Sequence, residues 1–143
     1  MIYMDYEIRL ESKEKIIAVC FGYLQPKENS LFLPIAVGLT NEGINIYVDH
    51  VADEVTNNVY KYKSKKYIPR LKIDYVYVEN YTVDLEYRDY GRIQLIMRND
   101  PLNTFTFFYK MEDEMYADNF LDKIKKTYHI DVKKATVKKY TLT

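Results

Sequence analysis

The chain has little cysteine, glycine and proline and no tryptophan, and these scarcities exclude several classes of site. Its single cysteine, Cys20, cannot build a disulfide framework or a cysteine-based metal site. Cys20 lies in an apolar run, which predicts a buried and unreactive thiol. The four glycines form no GxGxxG, GKS or GKT motif, so the sequence lacks the glycine loops of nucleotide-binding sites. We therefore predict neither a cofactor nor a bound metal.

An excess of charge of either sign is also missing. Lysine plus arginine number 21, and aspartate plus glutamate number 21 as well. No overall field attracts nucleic acid, so we expect no nucleic-acid partner. The first ten residues carry acids where a signal peptide needs a basic start, and no apolar run approaches the roughly 18 residues of a membrane span. These absences predict a soluble, cytoplasmic protein.

Tyrosine is the residue type that stands out. The chain of 143 residues has 16 tyrosines, and 48% of its residues are hydrophobic. A tyrosine ring packs on a pleated surface while its hydroxyl reaches water, so a chain rich in tyrosine and poor in glycine favours β structure. The length fits a single domain that spans residues 1–143.

Apolar and polar residues alternate along most of the chain with the period of a β-strand. Strands are predicted at residues 2–10, 16–24, 31–40, 44–48, 73–81, 92–98 and 104–109, and the last two are predicted to form a hairpin. Asn41, Glu42 and Gly43 separate two alternating runs, which predicts a hairpin whose turn uses the positive φ open to glycine. Pro34 is expected at an edge or a bulge. Residues 49–59 are predicted to be a loop, with or without one helical turn, and residues 82–91 either extend a strand or form an excursion.

One long helical pattern follows these strands. Apolar residues recur at helical spacing from Glu112 onward and form one stripe: Tyr116, Ala117, Phe120, Leu121, Ile124 and Tyr128. Acidic residues begin the segment and lysines end it, as the helix dipole favours. A run of strands followed by one amphipathic helix predicts an antiparallel sheet capped by that helix.

This order of elements resembles the bacterial pleckstrin-homology-like (PH-like) domains. Four stretches carry the resemblance: SKEKIIAVCFGYL (12–24), AVGLTNEGINIY (36–47), IPRLKIDYVYV (68–78) and FTFFYKMEDEMYADNFLDKIKK (105–126). The resemblance implies a mainly β fold, a PH-like barrel of two near-orthogonal antiparallel sheets with about seven strands, capped by a C-terminal α-helix. Its core would span about residues 12–128. The strand-like residues 2–10 and the basic tail 129–143 would be extensions.

Residues suited to catalysis are few. His50 and His129 are the only histidines, and each is expected to stand alone on the surface. No Ser/His/Asp spacing and no HExxH motif occurs, and the carboxylates are scattered along the chain. We predict that the protein is not an enzyme.

A basic segment without acids, residues 60–72, is the most suggestive candidate site. Its candidate ligand-binding residues are Lys61, Lys63, Lys65, Lys66 and Arg70. If residues 60–66 are extended, alternation places the first three lysines on one face, where they could hold a phosphate-bearing ligand or an anionic membrane surface. The alternative explanation is that lysines on an edge strand prevent sheet-to-sheet aggregation.

The binding residues of eukaryotic PH domains do not carry over to this chain. In those domains the basic residues that bind phosphoinositides lie mainly around the loop joining the first two strands. The corresponding stretch here, QPKENS (25–30), has one lysine and one glutamate. The resemblance therefore implies a fold without implying that ligand site.

Two functions from different classes follow. The leading hypothesis is a non-enzymatic interaction module that binds a protein partner or associates with itself as a homo-oligomer. The N-terminal strand and the tail could pair with another chain, or both could extend the sheet of their own chain. The alternative function is binding of an anionic ligand or a phospholipid surface through residues 61–72, with the membrane surface as the less favoured partner.

Overall fold

The computed structural model describes residues 5–24, 33–49, 51–81 and 90–137, and β-strands account for most of these residues. The strands are β1 (Glu7–Leu10), β2 (Ala18–Leu24), β3 (Leu33–Leu39), β4 (Gly43–Val48), β5 (Glu54–Thr56), β6 (Val59–Tyr62), β7 (Lys66–Pro69), β8 (Ile73–Tyr81), β9 (Tyr90–Met97), β10 (Phe105–Lys110) and β11 (Val132–Val137). The helix α1 spans Glu114–Tyr128, and short 3₁₀ helices occupy Arg70–Lys72, Pro101–Asn103 and Met111–Asp113. The predicted mainly β fold with a helix near the C-terminus is confirmed.

The main sheet has eight strands in the order β11-β8-β9-β10-β2-β3-β4-β7. Its neighbouring strands are antiparallel, except for β11, which runs parallel to β8. Strands β10 and β2 pair at one register position, Phe108 opposite Tyr23. The sheet therefore consists of two four-stranded halves that meet at a narrow junction, and β11 and β7 form its two outer edges.

The core lies between one face of the main sheet and α1. The alternating runs place their apolar residues on this face, as predicted, because successive side chains of a strand point to opposite sides. The fully buried strand residues include Val37, Leu39, Ile44, Ile73, Val76, Ile93, Leu95 and Phe107. Cys20 belongs to the same cluster, and its burial raises the pKa of the thiol to about 12. The predicted buried thiol is confirmed.

Helix α1 buries five of the six residues in its predicted apolar stripe. Tyr116 is the exception, because its side chain is 70% exposed. It precedes Ala117 by one residue, which places it about 100° around the helix from the residue at the centre of the stripe. The stripe is therefore narrower than the sequence pattern suggests.

The predicted hairpin of β3 and β4 is confirmed, with Leu39 opposite Ile44. Glycine is needed at position 43 for a different reason than predicted, because no glycine in the described residues has a positive φ. A Cβ at Gly43 would lie 2.7 Å from the Ile68 carbonyl oxygen and would overlap the Tyr67 ring. The glycine therefore allows β7 to approach β4 closely.

Pro34 does not lie at an edge or a bulge, as its missing N–H suggested. It is the second residue of β3, a strand with neighbours on both sides, and it stands opposite Tyr23 in a regular register. Its carbonyl oxygen accepts a hydrogen bond from the Asp49 N–H at 3.0 Å. The proline is tolerated because it stands near the start of the strand and loses only its donor.

The prediction of a loop at residues 49–59 is wrong for its second half, which forms the hairpin of β5 and β6. Val55 lies opposite Tyr60 in this hairpin. Its turn residues Asn57 and Asn58 have φ of 48° and 64°, the left-handed pair that a tight two-residue turn requires. Asparagine tolerates this conformation, so the turn forms without the glycine that usually marks it in a sequence.

A second sheet of three strands, in the order β1-β6-β5, lies against the outer face of β3 and β4. Tyr47, Ala36 and Tyr62 are buried there and form a small second core. Strand β1 runs parallel to β6, just as β11 runs parallel to β8. The described parts of both terminal segments thus extend the sheets of their own chain, as one of the two alternatives predicted.

Several predictions fall outside the described residues. They concern His50, residues 25–32, residues 82–89 and the two ends of the chain, 1–4 and 138–143.

Within the described ranges, α1 has 15 residues and many charges, and no helix there is both long and apolar enough to cross a membrane.

Candidate functional site

A cleft of about 1090 Å³ opens beside the β3–β4 hairpin. Three parts of the chain line it: residues 9–14, which lead from β1 toward β2; residues 63–67, which connect β6 to β7 and begin that strand; and Thr40 and Asn45 of the hairpin. Five of the lining residues are basic and two are acidic. Because the whole chain is electrically neutral, this surface, called the basic cleft below, is a local concentration of positive charge.

Three of the five predicted binding residues, Lys63, Lys65 and Lys66, line the basic cleft, and two do not. Lys61 is on β6, where its ammonium lies 3.8 Å from the Glu54 carboxylate. Arg70 places its guanidinium 5.4 Å from the centre of the Tyr128 ring and donates a hydrogen bond to the Asn41 carbonyl oxygen at 3.4 Å. Both are engaged in contacts with residues outside the cleft.

The predicted single basic stripe is wrong because the chain is not one strand over residues 60–66. Strand β6 ends at Tyr62 and β7 begins at Lys66, and the two strands belong to different sheets. The Asp53 carboxylate accepts a hydrogen bond from the Lys63 N–H at 2.7 Å, which holds the connection between them. Lys63 and Lys65 therefore leave the alternation and reach the cleft from a bend in the backbone.

The cations differ in what they offer to a ligand. Lys13 and Lys63 are exposed, and neither ammonium has a hydrogen bond or an ion pair within the described ranges. Lys65 forms an ion pair with Asp53, and Arg9 pairs with Glu7 at 2.9 Å. Lys66 of β7 pairs with Ile46 of β4, so its side chain is on the same, core-facing side of the main sheet as that isoleucine. Its ammonium lies 5.4 Å from the centre of the Phe105 ring. The lining cations without such a contact in the described part of the chain are therefore Lys13 and Lys63.

Hydrogen bonds join the N-terminal segment to the hairpin beside the cleft. The buried Asn45 side chain donates a hydrogen bond to the Ser12 hydroxyl at 3.3 Å. The Tyr47 hydroxyl donates to the Glu11 carbonyl oxygen at 2.8 Å, and the Glu42 N–H donates to the Glu14 carboxylate at 3.2 Å. The β3–β4 hairpin thus holds one wall of the cleft in place.

Sequence reasoning missed Lys13 and Asn45 for different reasons. Lys13 is 50 positions from Lys63, and only the parallel pairing of β1 with β6 brings their segments together. Asn45 carried a usable signal, because asparagine is depleted in strand interiors yet occurs here between two isoleucines. A buried asparagine in a strand usually has a hydrogen-bond partner that explains its presence.

The described residues offer no arrangement suited to metal binding, since they contain no group of three or more histidine, cysteine, aspartate or glutamate side chains that could hold an ion. His129 is exposed and has φ of 54°, and its N–H donates to the Lys125 carbonyl oxygen at 3.0 Å. It therefore ends α1 as a left-handed capping residue. A smaller cleft of about 400 Å³ lies beside it, lined by Asp122, Lys125, Lys126, His129, Ile130 and Asp131.

Comparison with known proteins yields a likeness of fold only. No protein-family model matches the sequence, and no curated protein matches it. Among solved structures, the hSac2 domain from human phosphoinositide phosphatase Sac2 is similar, with a TM-score of 0.52 and 10% sequence identity. The likeness covers 93% of this chain and 83% of that chain.

Proposed function

We propose that the protein is a non-enzymatic binding module of PH-like fold that takes an anionic, phosphate-bearing ligand into the basic cleft. The seven strands of the proposed barrel are β2, β3, β4 and β7 in one half and β8, β9 and β10 in the other, with α1 as the cap. The narrow junction between β2 and β10 supports this division, because it lets the two halves turn relative to each other. Strands β1, β5, β6 and β11 would be additions to the barrel.

The observation that carries the ligand proposal is the convergence of Lys13, Lys63 and Lys65 on one cleft from distant parts of the sequence. Like charges repel one another, so such a cluster is favourable where an anion compensates it. Protection of an edge strand explains Lys66 on β7, but it does not explain Lys13, which is not on that edge. The cluster therefore favours a binding site over a solvated edge.

The chemistry of the cleft suits a phosphate group. Lysine ammonium groups bind phosphate as point charges with several donors each. Lys13 and Lys63 are exposed, and among the described residues their ammonium groups have no ion pair or hydrogen bond, while Ser12 and Ser64 are also lining residues. A volume of about 1090 Å³ slightly exceeds the ~300–1,000 Å³ typical of small-molecule pockets. The cleft therefore has room for a phosphorylated small molecule or for a lipid headgroup.

Isothermal titration with inorganic pyrophosphate tests the proposal, and vesicle co-sedimentation identifies the source of the phosphate. We expect pyrophosphate to bind at low salt and to bind more weakly as salt is added, because exposed charges are screened. Sedimentation with vesicles of phosphatidylcholine and phosphatidylserine, but not of phosphatidylcholine alone, would assign a lipid surface. Binding of pyrophosphate without sedimentation would assign a soluble ligand. Absence of both kinds of binding would contradict the proposal.

Self-association through the three-stranded sheet is a second candidate function. Ile8 lies opposite Tyr60, which lies opposite Val55, so these side chains share one face of the sheet, the face on which Tyr60 also packs against the second core. Ile8 and Val55 are exposed, and the exposed Tyr6 ring packs edge-on against the Tyr60 ring at 5.4 Å. An exposed apolar row with aromatic residues is typical of a contact surface between proteins.

Size-exclusion chromatography with light scattering tests this second candidate. We expect a dimer or larger species at high protein concentration, and we expect Val55→Lys to shift the population toward monomer by placing a charge in the apolar row. Val51→Lys is the matched control, since Val51 is likewise exposed but precedes the hairpin. A monomer at every concentration would count against self-association.

A further inference from the structure

Asp53 is an acidic residue in contact with two lining residues of the basic cleft. It immediately precedes β5, and its N–H donates a hydrogen bond to the Lys61 carbonyl oxygen at 2.9 Å. Its carboxylate accepts from the Lys63 N–H through one oxygen and pairs with the Lys65 ammonium through the other. Asp53 does not line the cleft itself but contacts two residues that do.

The contacts of Asp53 resemble those that a bound anion would make. A backbone N–H and a lysine ammonium together are a common pair of donors for a phosphate oxygen. These two donors are already used by Asp53, and their pull holds the pKa of its carboxyl below the usual range. The carboxylate is therefore charged in neutral solution and stands where it repels an incoming anion.

We propose that Asp53 is an internal competitor for the basic cleft: its carboxylate occupies Lys65 in the free protein and lowers the affinity of the site for phosphate-bearing ligands. This inference rests on the proposed anion-binding function. It assigns two separable roles to one side chain. The hydrogen bond to the Lys63 N–H positions the connection between β6 and β7, and the negative charge sets the affinity.

The substitution Asp53→Asn separates these roles, because an amide oxygen can still accept the Lys63 N–H hydrogen bond while the charge is lost. We expect Asp53→Asn to bind inorganic pyrophosphate about fivefold more tightly at low salt, as removal of one nearby like charge predicts. The gain should shrink as salt is added. A purely structural role for Asp53 would not produce a gain that depends on salt.

Glu54→Gln is the matched control, since it removes one negative charge from the neighbouring residue. Glu54 pairs with Lys61, which lies outside the cleft. We therefore expect the Glu54→Gln variant to bind pyrophosphate with the affinity of the unmodified protein. An unchanged or weaker affinity of Asp53→Asn would overturn the inference, as would an equal gain in Glu54→Gln. The proposed function fails separately, if Lys13→Glu with Lys63→Glu leaves pyrophosphate binding intact.

Discussion

Replacing both Lys13 and Lys63 with glutamate is expected to weaken pyrophosphate binding about a hundredfold. Each reversal removes an attraction to the ligand and adds a repulsion, and at an exposed site each reversal costs on the order of 1.4 kcal/mol of binding free energy. These two lysines are the cations of the basic cleft whose ammonium groups have no partner within the described ranges. Their replacement therefore breaks no ion pair or hydrogen bond of an ammonium group within those ranges. Isothermal titration measures the affinity, and thermal unfolding checks that stability is retained.

The matched control for this prediction is Lys72→Glu combined with Lys123→Glu. Both lysines are exposed, and neither lines the basic cleft, so the net charge changes equally while the site is untouched. We expect the control to lose at most a few-fold in affinity, through the weak long-range field. Equal losses in the two double variants would show that net charge alone governs binding, which contradicts a defined site.

The largest expected loss of stability comes from Phe120→Ala. The Phe120 side chain is fully buried in α1 and belongs to the main core cluster. Truncating a buried phenylalanine removes apolar contacts and leaves a cavity, which typically costs about 3–5 kcal/mol in the free energy of unfolding. Urea unfolding followed by circular dichroism measures this free energy.

Tyr116→Ala is the matched control for the core substitution. Both residues are aromatic, lie in the same helix and belong to the apolar stripe that the sequence predicts. Because the Tyr116 side chain is 70% exposed, we expect its truncation to change the free energy of unfolding by less than about 0.5 kcal/mol. Similar losses in the two variants would contradict the observed orientation of α1.

The sequence predicts the elements whose pattern is local. The β3–β4 and β9–β10 hairpins and the buried face of α1 follow from alternation and helical spacing, since each needs only one buried face. The β5–β6 hairpin was not predicted, because its strands are short and its turn uses Asn57 and Asn58 instead of glycine. Tyr116 was wrongly placed in the buried stripe of α1, because helical spacing alone does not show where the edge of an apolar stripe lies.

The candidate site depends on contacts that no local pattern contains. Lys61 and Lys63 look equivalent in the sequence, and only the end of β6 at Tyr62 separates a strand lysine from a cleft lysine. The parallel pairing of β1 with β6 joins segments more than 50 residues apart. The basic segment could thus be identified from its composition, whereas Lys13, Asn45 and Asp53 required the fold.

The central claim is that an anion binds in the basic cleft, and mapping the bound position of pyrophosphate tests it most directly. Titration of the ¹⁵N-labelled protein, followed by two-dimensional NMR, reports which backbone amides sense the ligand. We expect the largest shifts at residues 9–14 and 63–67 and at Asn45, which line the cleft. Shifts confined to the smaller cleft beside His129, or no shifts at all, would contradict the claim.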